Sequence, residues 1–66
     1  MSIGEELKNH RLANGLSLLE LEKKTGISNQ NLSRWERDIV IPNVEFCIKL
    51  ADFYGISLDE LIGREI

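Results

Sequence analysis

The residues that most constrain this chain run from Leu18 to Arg37, LLELEKKTGISNQNLSRWER. Leu21 is the apolar anchor of a first short helix. Gly26 follows five residues later, and Ile27, Leu32 and Trp35 anchor a second helix. This spacing fits two helices that cross steeply through a turn of roughly three to four residues. The turn needs a residue that tolerates positive φ, which glycine does without steric penalty. Ser28, just past the turn, can cap the second helix by accepting from its free amides. Asn29, Gln30, Asn31, Ser33 and Arg34 then line the start of that helix with donors and acceptors. Trp35, spaced from Leu32 toward the apolar side, belongs to the core, where a buried ring supplies much of a small domain's packing.

The flanking sequence reads as further short helices. Ser2 with Glu5 resembles a capping box, and Ile3, Leu7, His10 and Arg11 share one stripe, which predicts a first helix from about Ser2 to Asn14, ended by Gly15. Ser17 with Glu20 repeats the box and opens a second helix over about residues 18–25. The third covers about 29–37, and Asp38 stands where a left-handed C-cap residue is expected. Ile39-Val40-Ile41 is too short for a strand without a partner and is read as a loop. Pro42-Asn43 opens a fourth helix with Val44, Cys47, Ile48, Ala51 and Tyr54 as its apolar stripe. Ser57 caps a last helix whose apolar side is Leu58, Leu61 and Ile62, with Asp59 and Glu60 in the first turn, where the helix dipole favours anions. The expected fold is all-α, with five short helices.

Sixty-six residues are read as one domain, 1–66. A chain this short buries only about 60% of its unfolded surface, so dimerisation would help it. No apolar run approaches a membrane span, and MSIGEELKN lacks the basic start and apolar core of a signal peptide. The single Cys47 cannot form an internal disulfide and is expected to be buried, in keeping with a reducing cytoplasm. One His and one Cys offer no metal set and no nucleophile–base pair, so no cofactor, no metal and no catalysis are expected.

The net charge of −3 argues against nucleic acid if taken globally, but its distribution argues otherwise. Residues 7–37 carry +3 and residues 38–66 carry −4. Such asymmetry between halves hints at a nucleic-acid surface on the basic one.

The motifs together resemble the phage Cro and repressor type of helix-turn-helix, the xenobiotic-response-element family. The marks are Arg11, Leu16-Ser17, Glu20-Leu21, Thr25-Gly-Ile-Ser28, Leu32-Ser-Arg-Trp-Glu36, Pro42, Leu50-Ala51 and Gly55-Ile-Ser-Leu-Asp-Glu-Leu61. Each is weak alone; their order and spacing over nearly the whole chain are specific. The resemblance implies a lambda-repressor-like DNA-binding domain of bacterial or phage origin. It implies a transcriptional regulator, usually a repressor, that binds double-stranded DNA as a homodimer. It further implies a pair between Arg11 and Glu36, and base contacts from Asn29, Gln30 and Arg34, with Ser33 beside them. Asn and Gln can bridge adenine in the major groove, and Arg can bridge guanine. Asn31, Arg37, Asn43 and Arg11 are the expected phosphate contacts, which position without specifying. His10 occupies a site where the family carries an apolar core residue, and a half-buried histidine is expected there.

Four departures bear on this. Leu18 replaces a phosphate-binding glutamine and Glu22 an alanine close to the recognition helix, so Glu22 must swing outward or push the helices apart. Asp38 replaces glycine, and Ile39-Val40-Ile41 replaces a segment often rich in Lys or Arg. Leu12, Leu19, Phe46 and Phe53 are surplus to one core, with Phe46, Leu50 and Phe53 on a second stripe. Exposed apolar residues of this kind mark a partner surface when contiguous. A dimer through Phe53, Leu58, Ile62 and Ile66 is expected. An alternative reading is a protein-interaction module on the same fold, anti-repressor or antitoxin-like, suggested by Leu18, Leu19 and Ile39–Ile41.

Overall fold

Each helix of the protein is entered through a small polar cap. Ser2, Ser17, Ser28, Asn43 and Ser57 accept, through their side chains, from the N–H of Glu5, Glu20, Asn31, Phe46 and Glu60. These bonds satisfy amides that have no partner inside the helix. The computed structural model describes residues 2–64, so Ile66 lies outside the described residues. The helices are α1 (Ile3–Ala13), α2 (Leu18–Thr25), α3 (Asn29–Glu36), α4 (Val44–Tyr54) and α5 (Leu58–Ile62), with no strand among the described residues. Only Ser17 completes the reciprocal box, with Glu20 reaching back to its backbone; Ser2 makes half of one.

α1 packs on α3 and α5, α2 on α3 and α4, and α4 on α5. The shared core is Leu7, Leu21, Ile27, Leu32, Trp35, Cys47, Leu50, Ala51 and Leu61. Leu21, Leu50 and Leu61 are fully enclosed. Full burial of such a side chain is worth about 1.5–3 kcal/mol. Cys47 is buried as expected, and burial pushes its thiol pKa up.

The stripe of α4 differs from the expected one. Val44 and Ile48 are exposed, at 59% and 47%, whereas Phe46 and Leu50 turn inward beside Cys47 and Ala51. The helix is rotated because Trp35 offers Phe46 a ring to pack on, centroids 5.0 Å apart. Phe46 is therefore a core-packing residue and not surplus, and Leu50 on the same stripe is fully enclosed. Among the residues expected to be surplus, Leu12, Leu19 and Phe53 are exposed.

Candidate nucleic-acid interface

The turn between α2 and α3 is set by three neighbours in sequence. Gly26 takes φ 77°, and its N–H donates to Glu22 O at 2.7 Å. Thr25 Oγ1 donates to Leu21 O at 2.7 Å and accepts from the Ile27 N–H at 3.2 Å. Thr25 thus spans the turn with one buried hydroxyl, and Ile27 drops into the core. α3 is seated on Leu32 and Trp35, which leaves its polar side outward.

On that side Gln30 and Arg34 are exposed, while Asn29, Asn31 and Ser33 are half-buried. Asn29 is tied to α2: its backbone N–H donates to Glu22 Oε1 at 3.0 Å, and its side-chain Nδ2–H donates to the same oxygen. These donors, the side-chain one first, hold the Glu22 carboxyl below the usual carboxylate range. Glu22 therefore neither swings away nor wedges the helices apart. Arg37 Nε donates to Ser33 Oγ at 3.2 Å and to Ser33 O at 3.3 Å, laying the arginine back along α3. Asn43 spends Oδ1 on capping α4 and stays exposed.

Arg11 requires a correction. Its Nε donates to Glu36 Oε2 at 2.7 Å, its Nη2 to Glu36 Oε1 at 2.9 Å and its Nη1 to Leu16 O at 2.8 Å. This forked ion pair, with side chains only 10% and 7% exposed, binds α1 to the end of α3. A guanidinium so enclosed and so occupied is a tie within the scaffold, not a phosphate contact. Beside it, Asp38 adopts φ 59° and accepts from the Gly4 N–H at 3.0 Å through Oδ1. The left-handed conformation costs a non-glycine residue roughly 1–2 kcal/mol, which this bond to α1 helps offset. A Cβ on Gly4 would lie 2.5 Å from Trp35 O, so only glycine lets α1 approach α3 this closely.

Arg11–Glu36 is the one salt bridge among the described residues, so Lys23, Lys24, Arg34 and Arg37 have no ion-pair partner among them. These four lie on the two helices of the turn or just beyond them, and all are exposed. Leu18, expected near the surface, packs against the core, whereas Leu19 is 61% exposed. Ile39, Val40 and Ile41 form an exposed loop, continued along α4 by Val44 and Ile48. Of the residues expected at a dimer interface, Phe53 and Leu58 are exposed and Ile62 is half-buried. His10 is half-buried, as expected, with Nε2 2.9 Å from Glu60 O in α5.

Glu22 as a partner of Asn29, Thr25 as the bridge of the turn and Gly4 as the contact point of α1 were not singled out by spacing. Glu22 lies seven positions before Asn29, across a turn, and matches no local capping pattern. Thr25 sits beside Gly26, where the glycine carries the stronger signal.

A family model described as "Helix-turn-helix" matches residues 7–61. The transcriptional regulator ImmR of Bacillus subtilis is 38% identical over 65 residues, covering 98% of this chain and 51% of that protein. The cryptic phage CTXphi transcriptional repressor RstR of Vibrio cholerae is 36% identical over 64 residues, covering 97% of this chain and 57% of that protein. The chain thus spans little more than half the length of these relatives. Among solved structures, the P22 c2 repressor in complex with synthetic operator 9T superposes with a TM-score of 0.86 at 29% identity, covering 98% of both chains. The capped turn, the outward polar face of α3 and these matches together establish that the chain belongs to the helix-turn-helix family, with the lambda-repressor-like arrangement of five helices.

Proposed function

We propose that this chain is a sequence-specific DNA-binding transcriptional regulator, most simply a cytoplasmic repressor, that reads the major groove as a homodimer. The observation that carries the reading is the start of α3. Its polar side chains face outward on a helix rigidly seated by Thr25, Gly26 and Ile27. Gln30 and Arg34 are the exposed readers of bases, with Asn29 and Ser33 beside them. Asn31, Arg37 and Asn43 are candidates for phosphate. Exposed Lys23 and Lys24 add sequence-independent attraction, which falls with salt. A two-fold dimer through Phe53, Leu58 and Ile62 would set two such helices roughly 34 Å apart, for half-sites one turn of DNA apart.

Binding to genomic fragments at rising salt tests this reading. A subset of fragments should be retained when bulk DNA is released. Gln30→Ala and Arg34→Ala should each cost about 1–3 kcal/mol and relax specificity. Absence of any preferred fragment at low salt would refute it. A second reading, a protein-interaction module, draws support from the exposed Leu19 and the apolar run of Ile39, Val40, Ile41, Val44 and Ile48. Recovery of a stoichiometric protein partner that is lost on Ile41→Ser, with DNA binding unchanged, would favour it.

A further inference from the structure

Glu22 stands on α2, yet one of its oxygens accepts twice from a single residue of α3. Each bond has a separate consequence. The first amides of a helix carry partial positive charge and lack partners within it. Ser28 Oγ takes the N–H of Asn31 and Glu22 takes that of Asn29, so α3 is capped from both sides of the turn. The bond to Nδ2 restrains the side chain. A carboxamide has a donor end and an acceptor end, and an unrestrained one can turn over to exchange them. Here the turned amide would set Oδ1 against a carboxylate oxygen, two acceptors face to face. The neighbouring donors also keep Glu22 ionised throughout the neutral range, so the restraint persists there.

We infer that Glu22 is a positioning residue for DNA readout, which holds the Asn29 carboxamide in one of its two orientations and thereby fixes which way round a base pair must lie to be read. The inference rests on the proposed reading of DNA by α3. Asn reads adenine by accepting through Oδ1 and donating through Nδ2. With one Nδ2 proton held by Glu22, the other proton and Oδ1 remain for the base in a fixed order. Adenine on one strand suits that order, and adenine on the other does not. The carboxylate also occupies the helix start where phosphate would otherwise be attracted. Glu22 therefore raises sequence preference while lowering affinity for bulk DNA.

That opposition distinguishes positioning from a merely structural role. Selection from a random DNA pool should compare the wild type with Glu22→Ala, Glu22→Gln, Asn29→Ala and the double variant Glu22→Ala/Asn29→Ala. The wild type should prefer adenine at one pair by roughly 5- to 150-fold, and Asn29→Ala identifies that pair by losing the preference there. Glu22→Ala should lose most of the preference at the same pair, keep those facing Gln30 and Arg34, and bind bulk DNA more tightly. The double variant should be no worse there than Asn29→Ala. Glu22→Gln can donate or accept, so it should admit adenine on either strand. An unchanged preference in Glu22→Ala, or equal loss at every pair together with weaker bulk binding, overturns the inference while leaving DNA reading intact. A wild type that selects no sequence removes the reading and the inference together. In the free protein, one Asn29 side-chain amide proton should resonate downfield and move upfield in Glu22→Ala; its absence in the wild type overturns the inference whatever DNA is bound.

Discussion

The two ends of α3 are held in opposite ways. At its start, Ser28 and Glu22 make hydrogen bonds at a partly exposed surface, and the side chains around them point outward. At its end, Glu36 is locked in a buried forked pair with Arg11, and the Trp35 and Glu36 carbonyls press on Gly4. The comparison separates two roles within one short helix. Its end supplies stability and fixes its place against α1, while its start orients outward side chains through surface hydrogen bonds, so that a single substitution there changes what is read more than whether the chain folds. Binding faces are commonly built this way, with recognition groups held in place by supporting hydrogen bonds on a rigid frame.

The largest expected effect is at the end of the helix. Glu36→Ala leaves the Arg11 guanidinium buried without its partner and should destabilise by roughly 3–5 kcal/mol, measured by urea unfolding. For a chain this short that is a large share of its total stability. A loss below about 1 kcal/mol would place the pair among exposed ones and dissolve the contrast between the two ends. Next comes Gly4→Ala, where the new methyl meets backbone that cannot move aside. It should lower stability by about 1–3 kcal/mol in thermal melts, although alanine favours helix elsewhere. Ser28→Ala, at the start of the helix, should cost about 1 kcal/mol in the same assay.

Two titrations sharpen the comparison further. Tyr54 Oη is a buried polar atom without a hydrogen-bond partner. Burial, with the nearby charge of Glu36 adding to it, pushes its pKa up from 10.0 to about 12. A raised folded pKa means that the stability it reports is intact below pH 10.0 and is lost as the pH rises toward about 12. Tyr54 is the only tyrosine, so tyrosinate absorbance follows it directly. Titration near 10.0 would mean the end of α3 is more open than described. At the start of the helix the sign reverses. The lowered carboxyl of Glu22 contributes stability above its usual value of 4.5, lost as the pH falls through the lower folded value. Its effect on melting should be the smallest of the set, because it stands at a partly exposed surface where solvent screens its charge.

Much of this division was legible in the sequence. Capping serines, the Gly26 turn and the spacing of Leu21, Leu32 and Trp35 act within a few residues of one another, and local patterns carry such information well. The Arg11–Glu36 tie was implied by the family resemblance. The inward face of α4 lies a fraction of a turn from the one the spacing predicts, because Val44 and Ile48 are as apolar as Phe46 and Leu50, and contacts between helices, such as that of Phe46 with Trp35, decide between them. The meeting of Glu22 with Asn29 depends on the crossing of two helices, which residue spacing alone does not specify. Asp38 was expected in a left-handed conformation, but its stabilising bond to Gly4 spans 34 positions.

The most direct test of the account is amide chemical-shift mapping of the chain with a selected DNA duplex at physiological salt. The account predicts that the largest changes fall on residues 28–34, with Asn29, Gln30 and Arg34 side chains among them, while the Arg11–Glu36 tie is unmoved. Changes centred on Ile39–Ile41 or on α5, with the start of α3 unaffected, would contradict it.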